Sequence, residues 1–151
     1  MEVASFEEIA DEFVARAHRM VWCSVATVDQ HNRPRSRILH PLWEGQTGWI
    51  ATRPTSPKAA HLRHNPFVSL AYIADVAKPL YVDCRAAWVA DLAEKARIRE
   101  LFKVAPAPVG YDPATVWQSP AAPDFGVLKL RPWRIHLYSF PEPSKVWRQA
   151  R

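Results

Sequence analysis

The chain has 151 residues, of which 48% are hydrophobic, and this combination suits a single domain with a sizeable core and excludes extended disorder. No apolar run is long enough to cross a membrane, and the acidic N-terminal stretch lacks the apolar region of a signal peptide, so we expect a cytoplasmic protein. The net charge of +5 favours anionic partners, either nucleic acid or phosphorylated small molecules.

The first predicted element is an amphipathic helix. Ser5 and Glu8 have the spacing of a capping box, in which each side chain bonds the other residue's backbone N–H. Apolar residues behind this box recur at helical spacing, which predicts a helix over residues 5–19.

A β-hairpin follows the helix. Residues 21–28 are β-branched and aromatic, and residues 34–43 come after a short polar turn, so the two segments predict antiparallel strands. Three basic residues lie two apart along the second strand and therefore share one face. They are Arg33, Arg35 and Arg37.

A third strand over residues 49–52 leads to a well-marked helix start. Ser56 suits the N-cap, and Pro57 suits the first helical position, where no N–H is needed. Lys58 therefore lies in the first turn. The helix is expected to stop before Pro66, because a residue that precedes proline avoids the α region.

The rest of the chain predicts more strands, one helix and a long loop. We expect strands at 67–73, 80–89, 126–130 and 133–140 with a break or bulge at Pro132, a helix at 91–104, a proline-rich loop at 106–123 and a terminal tail or short edge segment. Strands that follow one another through short links predict a mainly β fold, a six- to seven-stranded antiparallel barrel with a few helices, in one domain over residues 1–151.

Residues on these elements suggest a phosphate site. The first-turn N–H groups of the predicted helix favour an anion, and Lys58 and Ser56 add a charge and a hydroxyl. Arg37 on the second strand would reach the same anion with a bidentate contact, near the strand end at Thr52. The competing interpretation is that Ser56 is only a helix cap and that the cations face solvent.

The order of five short motifs in the centre of the chain is typical of one family. The motifs are Arg37-Ile38-Leu39, Thr52, Ser56-Pro57-Lys58, Asn65-Pro66 and Val68-Ser69-Leu70. In this order they resemble the pyridoxamine 5'-phosphate oxidase-like family of FMN-binding split β-barrels. The resemblance implies a split-barrel homodimer with FMN in a cleft between subunits, where Arg37 and Lys58 would hold the phosphate with Ser56 beside them.

The same resemblance assigns the ring end of the cofactor. Leu39 and His40 would lie along the isoalloxazine through their backbone, and Thr52 would lie near the ring or the ribityl chain. A flavin carries the redox step itself, so no acid or base residue is required and no catalytic residue is assigned. The candidate proton donors are His40, His61 and His64. His61 and His64 have a spacing that can pair metal ligands, but no Cys or carboxylate joins them, so no metal site is predicted.

Two departures from the family argue against oxidation of vitamin B6. Pro79 stands where the family's vitamin oxidases often carry a glutamine that holds the flavin, and the segment Arg134-Ile135-His136 only faintly resembles the arginine pattern that grips the vitamin phosphate. The substrate is therefore expected to be another small molecule. A reductase that uses the deazaflavin coenzyme F-420 fits the motifs as well as one that uses FMN.

Two interpretations of other classes stay open. A non-catalytic flavin store or sensor would carry the same motifs. A nucleic-acid binder would use the basic strand with Trp43 and Trp49 as stacking platforms, and it is the less favoured because arginines and aromatics must then share one exposed face.

Overall fold

The alternating and β-branched segments of the chain pair into one antiparallel sheet that curls into a half-barrel, decorated by helices. The computed structural model describes residues 1–150. Its helices are α1 (Ala10–Met20), α2 (Pro57–His64) and α3 (Leu92–Val104), with 3-10 turns at Phe6–Glu8 and Pro113–Thr115. Its strands are β1 (Cys23–Val28), β2 (Pro34–Leu39), β3 (Leu42–Glu44), β4 (Thr47–Thr52), β5 (Phe67–Tyr72), β6 (Leu80–Trp88), β7 (Gly126–Leu137) and β8 (Lys145–Arg148).

The strand order confirms a mainly β, antiparallel split-barrel architecture. It runs β2-β1-β5-β6-β7-β4-β3, and β8 pairs with β7 beside this path. Within the described residues there are eight strands rather than six or seven, for two reasons. The predicted strand 34–43 is split before Leu42, where Pro41 has no N–H to give to a ladder, and part of the predicted tail forms β8.

The break predicted at Pro132 is a bulge in a continuous strand. Strand β7 runs unbroken through both predicted closing strands, but its register against β6 shifts between the pairs Asp83↔Arg134 and Cys84↔Pro132. Trp133 is the extra residue. A bulge of this kind bends the strand, so one half of β7 can pair with β4 and the other half with β8.

The N-terminal helix is shorter than predicted. The capping box is present, because Glu8 Oε1 accepts the backbone N–H of Ser5 at 2.9 Å, but it closes only a 3-10 turn. Helix α1 begins afterwards, at Ala10. Strand β1 begins at Cys23 rather than Val21, because Val21 turns the chain with a φ of 65° and cannot pair as a strand residue.

The core of the half-barrel is closed by α1. Phe13, with 0% exposure, packs edge-on against Trp43 at a centroid distance of 4.8 Å. The indole of Trp43 donates to the buried Tyr72 hydroxyl at 3.0 Å. A second apolar cluster packs α3 against β4 and β7 around Trp49 and Phe102. No described helix has the length and apolar character needed to cross a membrane.

We expect Phe13→Ala to lower the free energy of unfolding by about 3–5 kcal/mol, because it leaves a cavity between α1 and Trp43. Urea denaturation followed by tryptophan fluorescence measures this loss. Val76→Ala is the matched control, since Val76 is 86% exposed and its truncation should cost less than about 0.5 kcal/mol. Equal effects in the two variants would contradict this account of the core.

Candidate functional site

Helix α2 begins where the sequence predicts, but the Ser56 side chain does not cap it. Ser56 has an extended backbone, and Pro57 occupies the first helical position. The Ser56 hydroxyl donates to the Arg53 carbonyl at 2.8 Å and accepts from Lys58 Nζ at 2.6 Å. The hydroxyl therefore holds the lysine at the mouth of the helix, where an anion would meet both groups.

Lys58 is a buried cation without an anionic partner. Its exposed fraction is only 7%, and among the described residues no carboxylate forms an ion pair with it. Burial lowers the pKa of the Lys58 ammonium, and the charge of Arg37 lowers it further. Lysines are almost never fully buried unless they are paired, so this corner favours a bound anion.

Arg37 lies at the same corner and is anchored through one end of its guanidinium. Its Nη1 donates to the Thr27 hydroxyl at 2.7 Å and to the carbonyls of Arg35 and Val25 at 2.9 and 3.1 Å. Burial lowers the pKa of Arg37, and the charge of Arg35 adds to this effect. No described carboxylate forms an ion pair with Arg37 either, so Arg37 and Lys58 together present two unneutralised cations.

The other basic residues predicted near the site have carboxylate partners. Asp29 forms ion pairs with Arg33 at 3.0 Å and with Arg35 at 3.7 Å. Burial raises the pKa of the Asp29 carboxyl, but hydrogen bonds from Arg33 and His31 and the Arg33 charge outweigh burial and hold this pKa well below its usual range. Arg53 lies 3.9 Å from Asp124. Of the three arginines along the predicted second strand, Arg37 is the one that has no carboxylate partner among the described residues.

A mostly apolar cavity of about 480 Å³ contains the residues predicted at the ring end of a cofactor. Leu39 and His40 both line it, and no charged side chain does. The His40 ring lies 5.0 Å from the Trp22 ring and 5.3 Å from the Tyr111 ring. Burial lowers the pKa of His40, and the Val109 backbone only partly offsets this effect, so the imidazole is neutral at pH 7. The cavity suits a flat, uncharged group.

Sequence reasoning missed the residues that wall this cavity. Trp22 follows the turn at Val21, while Tyr111 and Pro108 come from the long loop after α3. The aromatic residue in a long proline-rich loop was the available signal, because loops of this length are often functional. Trp22 was included in the predicted strand, and nothing in its local pattern separates it from a core residue.

Thr52 lies at the end of β4, close to the cavity wall. It is 7% exposed and pairs with Gly126, and its neighbour Ala51 lines the cavity. A Cβ at Gly126 would come within 2.7 Å of the Thr52 carbonyl oxygen, so only glycine allows the two strands to approach this closely.

The cationic corner and the cavity are joined by one strand. Arg37, Leu39 and His40 follow one another along β2 and its end, so at about 3.3 Å per residue His40 lies roughly 10 Å beyond Arg37. The arrangement suits a ligand with a phosphate at one end, a spacer, and a planar neutral group at the other end.

The structure argues against the nucleic-acid interpretation. It also gives the two histidines of α2 different hydrogen-bond partners. Trp43 and Trp49 are each 2% exposed and cannot stack on bases. His61 Nδ1 lies 2.8 Å from the Thr27 hydroxyl, whereas His64 Nε2 lies 3.0 Å from the Asn32 side-chain oxygen. Among the described residues, no group of three or more His, Cys, Asp or Glu could hold a metal ion.

A protein-family model matches this chain. The family model described as pyridoxamine 5'-phosphate oxidase matches residues 7–139, which is most of the chain. Among curated protein sequences there is no significant match.

Solved structures with the same fold include the following three. A protein of the pyridoxinephosphate oxidase family from Clostridium acetobutylicum, related to general stress protein 26, has a TM-score of 0.72 at 15% identity and covers 94% of this chain and 95% of its own. An FMN-binding protein from Nostoc punctiforme, related to pyridoxamine 5'-phosphate oxidase, has a TM-score of 0.67 at 15% identity, covering 97% and 91%. An F420 reductase has a TM-score of 0.59 at 16% identity, covering 82% and 94%. At such identities the similarity establishes the fold alone.

We expect Lys58→Met to leave the free protein as stable as the wild type or about 1 kcal/mol more stable, because the change removes a buried unpaired charge and keeps the apolar stem. The same variant should lose the increase in melting temperature that inorganic phosphate or pyrophosphate gives the wild type. Thermal unfolding with and without these anions measures both effects. An equal anion response in wild type and variant would contradict the assignment of the anion corner.

Proposed function

This chain belongs to the pyridoxamine 5'-phosphate oxidase family, and we propose that it is a flavin-binding oxidoreductase that holds FMN by its phosphate and transfers hydride or electrons to or from a small molecule. One observation carries the proposal: the buried, unpaired Lys58 lies beside Arg37, with an uncharged aromatic cavity farther along the same strand.

The donors at the corner fit a phosphate. Arg37 has its Nε and one N–H of Nη2 on the edge away from its Nη1 anchors, which suits a bidentate contact to two phosphate oxygens. Lys58 Nζ supplies a full charge, and the Ser56 hydroxyl lies 2.6 Å from it. A bound phosphate would neutralise both cations and thereby remove the cost of leaving Lys58 buried without a partner.

The cavity fits the ring of such a cofactor. Trp22 and Tyr111 offer aromatic faces, and the neutral His40 adds no charge that would oppose an apolar ring. A bound flavin supplies the hydride or electron chemistry. The chain's own part is to orient the ring, keep water away from it and hold the phosphate, so no residue of the chain is assigned as an acid or base.

The deazaflavin coenzyme F-420 is the alternative cofactor. It also brings a phosphate, so the same cationic corner would receive it, and the fold similarity to an F420 reductase supports this alternative. The fold similarity to an FMN-binding protein supports FMN in the same way. The visible absorption spectrum of the concentrated protein and mass spectrometry of the released ligand distinguish the two.

The substrate is proposed to be a small molecule other than pyridoxamine 5'-phosphate. Arg134, the residue with a faint resemblance to the vitamin-phosphate arginines, is held by Asp83 at 2.9 Å.

A non-catalytic flavin store is distinguished from an enzyme by turnover. Reduction of the bound cofactor by a nicotinamide coenzyme or reduced deazaflavin, followed by reoxidation by an acceptor over many cycles, supports an enzyme, and a single cycle supports a store.

We also propose a homodimer with the cofactor at its interface. Phe67 and Trp133 are 50% and 42% exposed, and both line one groove on the sheet with Ala26 and Ser69. Large aromatic residues that are exposed together on a sheet face are typical of interfaces.

We expect Lys58→Ala to weaken FMN binding by about 1.5–3 kcal/mol, because it removes a charge-assisted contact to the phosphate. Fluorescence quenching titration of the apoprotein measures the affinity. Lys78→Ala is the control, since Lys78 is a partly exposed lysine paired with Glu142 at 3.0 Å, and this variant should leave the affinity unchanged. Unchanged affinity in Lys58→Ala would place the phosphate elsewhere, and a wild type that binds neither FMN nor F-420 would end the proposal.

We expect Phe67→Glu to raise the dimer dissociation constant roughly tenfold or more, because the two-fold symmetry of a dimer buries the new charge twice. Analytical ultracentrifugation over a range of concentrations measures this constant. Val104→Glu, at a 65% exposed position at the end of α3, is the control. A monomeric wild type, or equal constants for the two variants, would contradict this interface.

A further inference from the structure

The anchor of Arg37 is a short chain of hydrogen bonds that crosses from β2 through β1 to α2. Arg37 Nη1 donates to the Thr27 hydroxyl at 2.7 Å, and this hydroxyl lies 2.8 Å from His61 Nδ1. Thr27 is 2% exposed and His61 is 8% exposed. The two buried polar side chains therefore bond to each other and to the arginine.

We propose that Thr27 and His61 are positioning residues, in which a neutral His61 orders the Thr27 hydroxyl so that it holds the Arg37 guanidinium in the orientation that receives a phosphate. This inference rests on the proposed function and adds to it the residues that orient its anion site. Neither residue was predicted for this role from the sequence, where His61 was considered only as a proton donor or a metal ligand.

The direction of each hydrogen bond follows from the donor count. The Thr27 hydroxyl accepts from Arg37, so its single proton is free to be donated. His61 Nδ1 at 2.8 Å is a nearer acceptor than the Arg35 carbonyl at 3.4 Å. Arg37 Nη2 approaches the same nitrogen at 3.4 Å, and only an unprotonated nitrogen can face two donors. His61 therefore carries its proton on Nε2.

The charges around His61 keep it neutral. Arg37 and Arg35 face it from β2, Asp29 faces it from the turn after β1, and His31 and Arg33 line the same small pocket. Burial lowers the pKa of His61 first, the charges of Arg37 and Arg35 lower it further, and Asp29 only partly offsets them. The group is thus an acceptor at neutral pH, and it loses this property only in acid.

The geometry explains why a threonine and a histidine are needed at the corner. With Nη1 held by Thr27 and by backbone carbonyls, the guanidinium cannot rotate about its own axis, and its Nε–Nη2 edge keeps one direction. A site held within a narrow range of orientation loses less entropy when the ligand binds. Without the hydroxyl or its acceptor, Arg37 keeps its charge but samples more orientations.

The test uses four variants of the whole chain and two ligands. Thr27→Val removes the hydroxyl with little change in shape, and Thr27→Ser keeps it. His61→Leu removes the acceptor, and His61→Asn keeps an oxygen close to the place of Nδ1 but cannot take up a proton. FMN and riboflavin are titrated into each apoprotein, because riboflavin has the same ring and lacks the phosphate.

We expect Thr27→Val and His61→Leu each to weaken FMN binding about fivefold to twentyfold and to leave riboflavin affinity unchanged. The double variant should be little worse than either single variant, because both act through one chain of bonds. Thr27→Ser and His61→Asn should bind FMN within about twofold of the wild type. FMN affinity equal to that of the wild type in Thr27→Val and His61→Leu would overturn the inference.

The pH dependence gives a readout that a merely structural role would not change. As the pH falls from 8 to 5, the FMN affinity of the wild type should drop more than that of His61→Asn, because protonation of His61 removes the acceptor of the Thr27 hydroxyl. Titration of the FMN phosphate affects both proteins equally, so it does not contribute to the difference. Superimposed profiles, or a wild type that binds better in acid, would overturn the inference. Failure of this inference is distinct from failure of the proposed function. The proposed function fails if the wild type binds no FMN, or if Lys58→Ala leaves the FMN affinity unchanged.

Discussion

Two cations that share a corner without a carboxylate are the constraint on which the site depends. Burial disfavours the charged forms of Lys58 and Arg37, the charge of Arg37 adds to this effect on Lys58, and the described part of the chain offers neither of them an acidic partner. A protein selected only for stability would pair or expose these groups. Burial of Lys58 without an acidic partner costs free energy in the free protein, and a bound anion would recover it, which supports the proposed anion site at this corner.

Charge is partitioned along β2 and its end. Asp29 forms ion pairs with Arg33 and Arg35 at the start of the strand, Arg37 has no carboxylate partner in the middle, and the cavity at the far end has no charged lining residue. Along this one strand, arginines paired with a carboxylate are followed by the proposed anion site and then by an apolar cavity. Under the proposed function, this gradient would orient the cofactor with its phosphate toward α2 and its flat ring toward Tyr111. A nucleic-acid surface would instead need exposed aromatic residues among the cations.

Features that a single proline imposes on the backbone follow from the sequence, whereas the shortest strands do not. The start of α2 at Pro57, its end before Asn65-Pro66 and the bulge at Pro132 follow from the backbone limits of proline. Arg35 and Arg37 share one face of β2 because side chains alternate between the two faces of a strand. The break before Leu42 and the short β8 were missed because a few residues carry too little pattern to mark an edge strand.

The sequence by itself determined the strand and helix order, the family resemblance, and the set of cationic residues from which the site is built. Only the tertiary structure decided which of those cations lack a partner, because pairing with Asp29 or Asp124 depends on where distant segments meet. It also brought His61 to Thr27 across 34 positions of the chain and placed the loop at Tyr111 against His40. A local sequence pattern shows which interactions a side chain is able to make. The partner of each interaction is set by tertiary packing, which brings together residues that are distant in the sequence.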